Sequence, residues 1–330
     1  MRVRSQPPLS AGPTSPPQGG DQIFVGLRAK NRHSDLPLWG RCPTGQRGCH
    51  ALQASMTLFN LTQTVPEIAH RKGTLSAGSR VVPEETPIAF SYGGSTHAVM
   101  MATPGDLEDF AVGFSLTEGI IKTPLEIESI EAVIDDKGID VQIMLKDEQN
   151  KALTARRRHM AGPVGCGLCG IESIEQAVRK TPSVSGSKLR LSVNQIVEAV
   201  ALLNGQQPLH FETRAVHGAG FYVLGKGLIA VREDVGRHNA LDKLVGAAAR
   251  AGYSGADGAV VVTSRVSVEM VQKTAIIGSP FIIAISAPTA LAIRTADEAG
   301  MTLVALVRGQ DFEVFTHMDR IQPGAVADVA

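Results

Sequence analysis

The sequence predicts an α/β protein in two parts, a C-terminal α/β layer preceded by a smaller α+β domain. Three observations carry this. In the second half, continuously apolar runs such as GAVVV and FIIAISA alternate with amphipathic stretches, the pattern of a largely parallel sheet covered on both faces. In the first half, strand-like runs are joined by glycine turns. The chain's 330 residues also suit two domains, at roughly 100–200 residues per domain.

Residues 1–55 read as a disordered N-terminal extension. SQPPLSAGPTSPPQGG and GRCPTGQRGCH are rich in Pro, Gly and polar residues and show no sustained apolar period. Trp39, Cys42 and Cys49 lie here without metal-site spacing. Met56 is a candidate natural start.

The small α+β domain is expected over 56–154. TPIAFSY and THAVMMAT flank Gly93 and Gly94 as a hairpin. Asp106 is a natural N-cap for a helix in which Leu107, Phe110, Ala111 and Phe114 recur at helical spacing, with Gly119 ending it. IESIEAVIDDKGIDVQIMLK then gives two strands around Lys137 and Gly138.

Residues 155–190 read as a connector. It opens on Arg156, Arg157, Arg158 and His159 and carries Cys166 and Cys169 in GPVGCGLCGIES. The α/β domain, 191–330, begins with a helix whose Ser192 and Gln195 form a capping box. Strands GLIAVRE, GAVVVTS, FIIAISA and TLVALVR follow, separated by helices NALDKLVGAAARAG, VEMVQKTAIIG and TALAIRTADEAG, with FEVFT as a last strand.

Composition narrows the function. Lys plus Arg and Asp plus Glu both number 32, which argues against general electrostatic capture of nucleic acid or an acidic membrane. Four cysteines are too few for a disulfide scaffold, and the lack of a signal-peptide pattern points to a cytoplasmic location. No apolar run is long enough to span a bilayer. There is no Walker loop and no GxGxxG after a first strand, so ATP hydrolysis and nicotinamide chemistry lose their strongest supports.

In open α/β sheets ligands sit beyond the carboxyl ends of the strands. The residues there are EDVGRHN (Glu233 to Asn239), SRVS (Ser264 to Ser267), SAPT (Ser286 to Thr289) and RGQ (Arg308 to Gln310). Arg237, His238, Arg265, Ser267 and Arg308, with three helix N-termini, should therefore form a rim suited to phosphate. Gly236 would permit a tight turn there, and Asp234 or Asp242 would accept hydrogen bonds from a base or orient an arginine. His217, in ETRAVHGAG, lies at a strand edge, where a core role and a functional one are both open.

The cysteine pair admits several chemistries. Structural zinc needs further ligands, and deaminase zinc needs an HxE segment, whereas Gly218 and Ala219 follow His217. A thioredoxin-like site needs its CxxC in a βαβ unit. A glycine-hinged thiol that carries sulfur between partners suits the connector, and the nearby basic residues would favour the thiolate. No resident metal is expected on any of these grounds.

Five ordered motifs, CGLCG, EDVGRHNALDKL, SRVSVEMVQK, SAPTALA and LVRGQDFEVFTH, resemble the formate dehydrogenase accessory sulfurtransferase family, FdhD, over about residues 75–320. The resemblance implies a cytidine-deaminase-like C-terminal layer without deaminase chemistry. It implies a cytoplasmic homodimer that moves sulfur from a cysteine desulfurase to the molybdenum cofactor, Mo-bis(molybdopterin guanine dinucleotide), bound as substrate and destined for formate dehydrogenase. Cys166 would be the persulfide carrier and Cys169 its supporting or resolving thiol. The guanine nucleotide ends would lie near Ala305, Leu306, Val307, Arg308, Gly309 and Gln310, beside Arg237, His238, Arg265, Ser267 and His217. Leu306 departs from the aromatic residue the family often places there. A second class, a non-catalytic module that binds and delivers the cofactor and has regulatory cysteines, is also compatible.

Overall fold

A computed structural model describes residues 24–29, 60–150, 153 and 180–323. Cys166, Cys169, the Arg156 to His159 cluster, Trp39, Cys42, Cys49 and Met56 lie outside the described residues.

The first sheet has five strands. They are β1 (Phe24–Ala29), then, after a separate hairpin of β2 (Thr62–Arg71) and β3 (Thr74–Pro83), β4 (Thr86–Tyr92), β5 (Ser95–Ala102), β6 (Ile127–Asp135) and β7 (Gly138–Leu145). Their order across the sheet is β1-β6-β7-β4-β5. The two expected hairpins form, with turns at Gly93 and Gly94 and at Asp136 and Lys137. Two features differ from expectation. A strand, β1, forms within the extension read as disordered and pairs in parallel with β6, a long-range pairing that local composition does not encode. The β2–β3 hairpin was not anticipated either; Lys72 (φ 50°) and Gly73 (φ 84°) make its tight turn.

Helix α1 (Leu107–Thr117) covers this sheet. Its Phe110 and Phe114 meet the buried Phe90, edge-on at 4.8 Å and stacked at 4.6 Å. Asp106 stands at the N-cap as expected, but with φ 54° and no side-chain cap bond. Its carboxylate faces Arg232 instead, at 3.6 Å.

The second sheet has six strands. After β8 (Leu191–Ser192), α2 (Val193–Gly205) and α3 (Pro208–Thr213) come β9 (His217–Val223), β10 (Gly227–Asp234), α4 (Arg237–Arg250), β11 (Gly258–Val262), α5 (Val268–Ile276), β12 (Phe281–Ala284), α6 (Ala290–Ala299), β13 (Thr302–Arg308) and β14 (Asp311–Val314). The order is β10-β9-β11-β12-β13-β14. The expected capping box of α2 is present. Only the centre, β11-β12-β13, is parallel; β9 runs antiparallel to both its neighbours and β14 to β13. The sheet is therefore mixed, less parallel than the apolar runs suggested.

Both faces are covered, as those runs require. Val260, Val262, Ile282 and Leu303 face Leu241, Leu244, Met270 and Ala292 of α4, α5 and α6. Ala259, Val261, Phe281 and Ile283 face Ile196, Ala199 and Leu203 of α2. Each fully buried Val, Leu, Ile, Phe or Met among them stabilises the fold by about 1.5–3 kcal/mol.

Helices α1 and α4 join the two layers at very close range. A Cβ on Gly113 would lie 1.7 Å from the Asp242 carbonyl oxygen, and one on Gly246 would lie 1.9 Å from that of Asp109. Only glycine permits this approach. No helix among the described residues is long and apolar enough to cross a membrane.

Candidate functional site

Because β9 is antiparallel to both β10 and β11, strands β10, β11, β12 and β13 all point the same way. Their carboxyl ends share one edge, and His217, at the start of β9, pairs with Asp234 at that same edge. The four segments read from the sequence thus do converge. Helices α4, α5 and α6 all start there. Thr289 caps α6 by accepting from Ala292 N, whereas neither Gly236 of α4 nor Ser267 of α5 caps its helix through a side chain. Among the described residues, no side chain caps the N–H groups of these two helix N-termini at the rim.

Arg237 opens α4 and is half-buried. Its Nε is shielded from solvent and has no hydrogen-bond partner among the described residues. Arg265 and Arg308 are exposed at the ends of β11 and β13. The charges converge on His217, which burial, then Arg237, then His238 and Arg265 push below the ordinary histidine range, with Asp234 opposing. A half-buried imidazole held neutral beside arginines is the response expected in a positive site.

His238 is fixed differently. Its Nε2 lies 2.8 Å from Glu269 Oε2 and 3.4 Å from Ser267 Oγ, and Ser267 Oγ donates to the same carboxylate oxygen at 3.2 Å. Glu269 can only accept, so Nε2 carries the proton. The hydrogen bond from His238 holds the Glu269 carboxyl far below its usual range, at about 2.

Two acids named from the sequence are used elsewhere. Asp234 is fully buried and its Oδ2 accepts from Lys243 at 2.6 Å and from Thr103 N at 3.0 Å. Its Oδ1 accepts from Gly236 N at 2.7 Å and Asn239 Nδ2 at 3.0 Å. Asp242 is buried against Lys273 (3.0 Å) and Thr117 Oγ1 (2.7 Å). Neither is free to meet a base or orient a rim arginine: both oxygens of Asp234 are taken, and the α4 face that bears Asp242 turns toward α1. Gly236 has no positive φ; its role is closeness, since a Cβ there would lie 2.6 Å from Asn239 Nδ2.

The last motif divides in two. Ala305 and Val307 are in the core, 0% and 2% exposed, so only their main chain can face a ligand. Leu306 sits on a bulge at φ 56° and Gly309 in the hairpin turn at φ 61°. A left-handed leucine is strained. Arg308, Gly309 and Gln310 project from the edge, exposed.

Sequence reasoning missed Glu269, which stands in SRVSVEMVQK but reads there as an ordinary first-turn acid of a helix. It also missed Thr263, whose Oγ1 accepts from Gly218 N at 2.9 Å and ties the ends of β9 and β11 together. A cleft of about 1310 Å3 lies elsewhere, bordered by Leu116, Leu125, Ala248, Tyr253 and Ile277. It is at the carboxyl ends of α4 and α5, the end of the layer remote from the rim, and holds none of the convergent polar groups.

The FdhD/NarQ family profile matches residues 83–322. The chain belongs to this family. Among FdhD/NarQ relatives, the sulfur carrier protein FdhD of Agrobacterium fabrum is 68% identical over 257 residues, 78% of this chain and 95% of its own. The protein of the same name from Brucella abortus is 56% identical over 266 residues, 81% of this chain and 99% of its own. A crystal structure of a formate dehydrogenase accessory protein from Desulfotalea psychrophila superposes with a TM-score of 0.62 at 27% identity, covering 80% of this chain and all of that one.

Proposed function

We propose that this FdhD/NarQ protein is a sulfurtransferase that carries sulfur on Cys166 from a cysteine desulfurase to Mo-bis(molybdopterin guanine dinucleotide), in the service of formate dehydrogenase. The Cys166 thiolate attacks the outer sulfur of the donor persulfide; the S–S bond of the donor breaks, its cysteine leaves as thiolate, and Cys166 becomes the persulfide. Cys169 supports or resolves that group. The cofactor is substrate, received at the sheet edge by Arg237, Arg265, Arg308 and the open N-termini of α4 and α5. A cytoplasmic homodimer and a cytidine-deaminase-like description of the six-stranded layer belong to the same reading.

The observation that carries it is the rim itself. An arginine with a shielded Nε that has no partner among the described residues, two helix N-termini without a side-chain cap, and a histidine lowered by burial and then by the Arg237 charge suit a phosphorylated ligand. Relatives named as sulfur carriers supply the chemistry. The test is Cys166→Ala: formate dehydrogenase maturation is lost in cells while GDP binding by the purified chain persists. Full maturation with that variant would refute the carrier role.

A further inference from the structure

Glu269 is out of place in a site built only for phosphate. Its charged neighbours are His238 and Arg237, and a carboxylate there repels an anion. Two other acids at the edge are consumed: Asp234 by Lys243, Asn239 and backbone N–H groups, and Glu233 by Leu209 N and His210 N. Glu269 is different. Its Oε2 takes both the His238 and the Ser267 donors, and its Oε1 makes no hydrogen bond among the described residues. The side chain is 29% exposed, so that oxygen is within reach of a ligand while its partners fix it in position.

An ionised, oriented oxygen that can only accept selects a donor group on the ligand, and a ring edge made of N–H groups supplies one. The 2-amino-4-oxopyrimidine edge is such a group, with a ring N–H beside an amino group. Guanine and the pterin ring both present it. Adenine offers a ring acceptor in place of the N–H, and hypoxanthine lacks the amino group.

We propose that Glu269 is a specificity-determining residue that reads the 2-amino-4-oxopyrimidine edge of the cofactor, with His238 and Ser267 as the residues that position it. The inference rests on the reading of the rim as the cofactor site and adds how the ring end is told from other bases. It also gives the SRVSVEMVQK segment a ligand-facing acid alongside its basic and hydroxyl groups.

The experiment is calorimetric titration of the full chain and of Glu269→Ala with GDP, IDP, ADP and pterin-6-carboxylate, with a thermal melt to establish that the variant folds. The three nucleotides share their diphosphate, so any difference among them comes from the ring. The wild type is expected to hold GDP about tenfold or more tighter than IDP and ADP, the yield of a hydrogen bond to a charged acceptor. Glu269→Ala is expected to weaken GDP most, to weaken IDP less because its ring N–H remains a donor, and to leave ADP unchanged. If the carboxylate reads the pterin end, the variant loses pterin affinity instead, and GDP and IDP bind alike in the wild type. Should the variant fail to fold, the wild-type comparison of GDP with IDP, and of the pterin with its 2-deamino analogue, decides alone. The inference is overturned if neither guanine nor pterin binding depends on the amino group or on Glu269. If no nucleotide and no pterin binds the wild type, the rim reading fails with it.

Discussion

Lys243 Nζ lies 2.6 Å from Asp234 Oδ2, and both side chains are fully buried. Lys243 also donates to the Thr103 carbonyl oxygen at 2.8 Å, and Asp234 accepts from Thr103 N. This pair ties the end of β5 to the turn that presents Arg237 and His238. Removing one member leaves an uncompensated buried charge, which costs about 3–5 kcal/mol. Lys243→Met should lower the urea unfolding free energy by that amount, and adding Asp234→Asn should recover part of it. Additive losses in the double variant would show that the two charges do not stabilise each other.

The α1–α4 contact gives a second expectation. Gly113→Ala and Gly246→Ala each place a methyl group inside van der Waals contact with a carbonyl oxygen of the facing helix, so the helices must separate. Overpacking of this kind costs about 1–3 kcal/mol or more. A melting temperature unchanged in both variants would contradict the close approach.

His217 supplies a pH signature. Its folded pKa lies below the ordinary value of 6.5, so between those two values the unfolded chain binds a proton that the folded chain does not. Stability from this group is full above the unfolded pKa and falls as pH drops toward the folded one. Glu269, depressed to about 2, loses its contribution only below the usual carboxylate range. Urea midpoints at pH 7.5 and 5.5 should therefore fall less in His217→Asn than in the wild type; equal slopes would remove His217 as the cause.

At the rim, Arg237→Ala should weaken GDP binding about tenfold or more and flatten its dependence on salt. Arg237→Lys should not restore it, because an ammonium lacks the guanidinium fork. Arg265→Ala, at an exposed position, should cost less. Restoration by lysine would mean that charge alone is read.

Much of this was legible in the sequence because the signals were local. The turn glycines at 93 and 94, the Ser192–Gln195 capping box and the apolar runs of β11, β12 and β13 each specify their element within a few residues. The convergence of EDVGRHN, SRVS, SAPT and RGQ followed from strand direction alone. What was not legible depends on partners distant in sequence. Strand β9, HGAGFYV, looks glycine-rich in isolation and is held by β10 and β11 on its two sides. Asp234 and Asp242 read as ligand groups because nothing nearby in sequence reveals that Lys243 and Lys273 are folded against them inside the α1–α4 junction. Glu269 read as a helix acid because its partner His238 is on another helix.

Cys166 is the proposed carrier of sulfur. Purified full-length protein is incubated with a cysteine desulfurase and cysteine, then digested without reductant, and the peptide containing residues 162–173 is weighed. A gain of one sulfur on Cys166 is expected, absent from Cys166→Ala and removed by a thiol reductant. An unmodified peptide from a desulfurase shown to be active would contradict it.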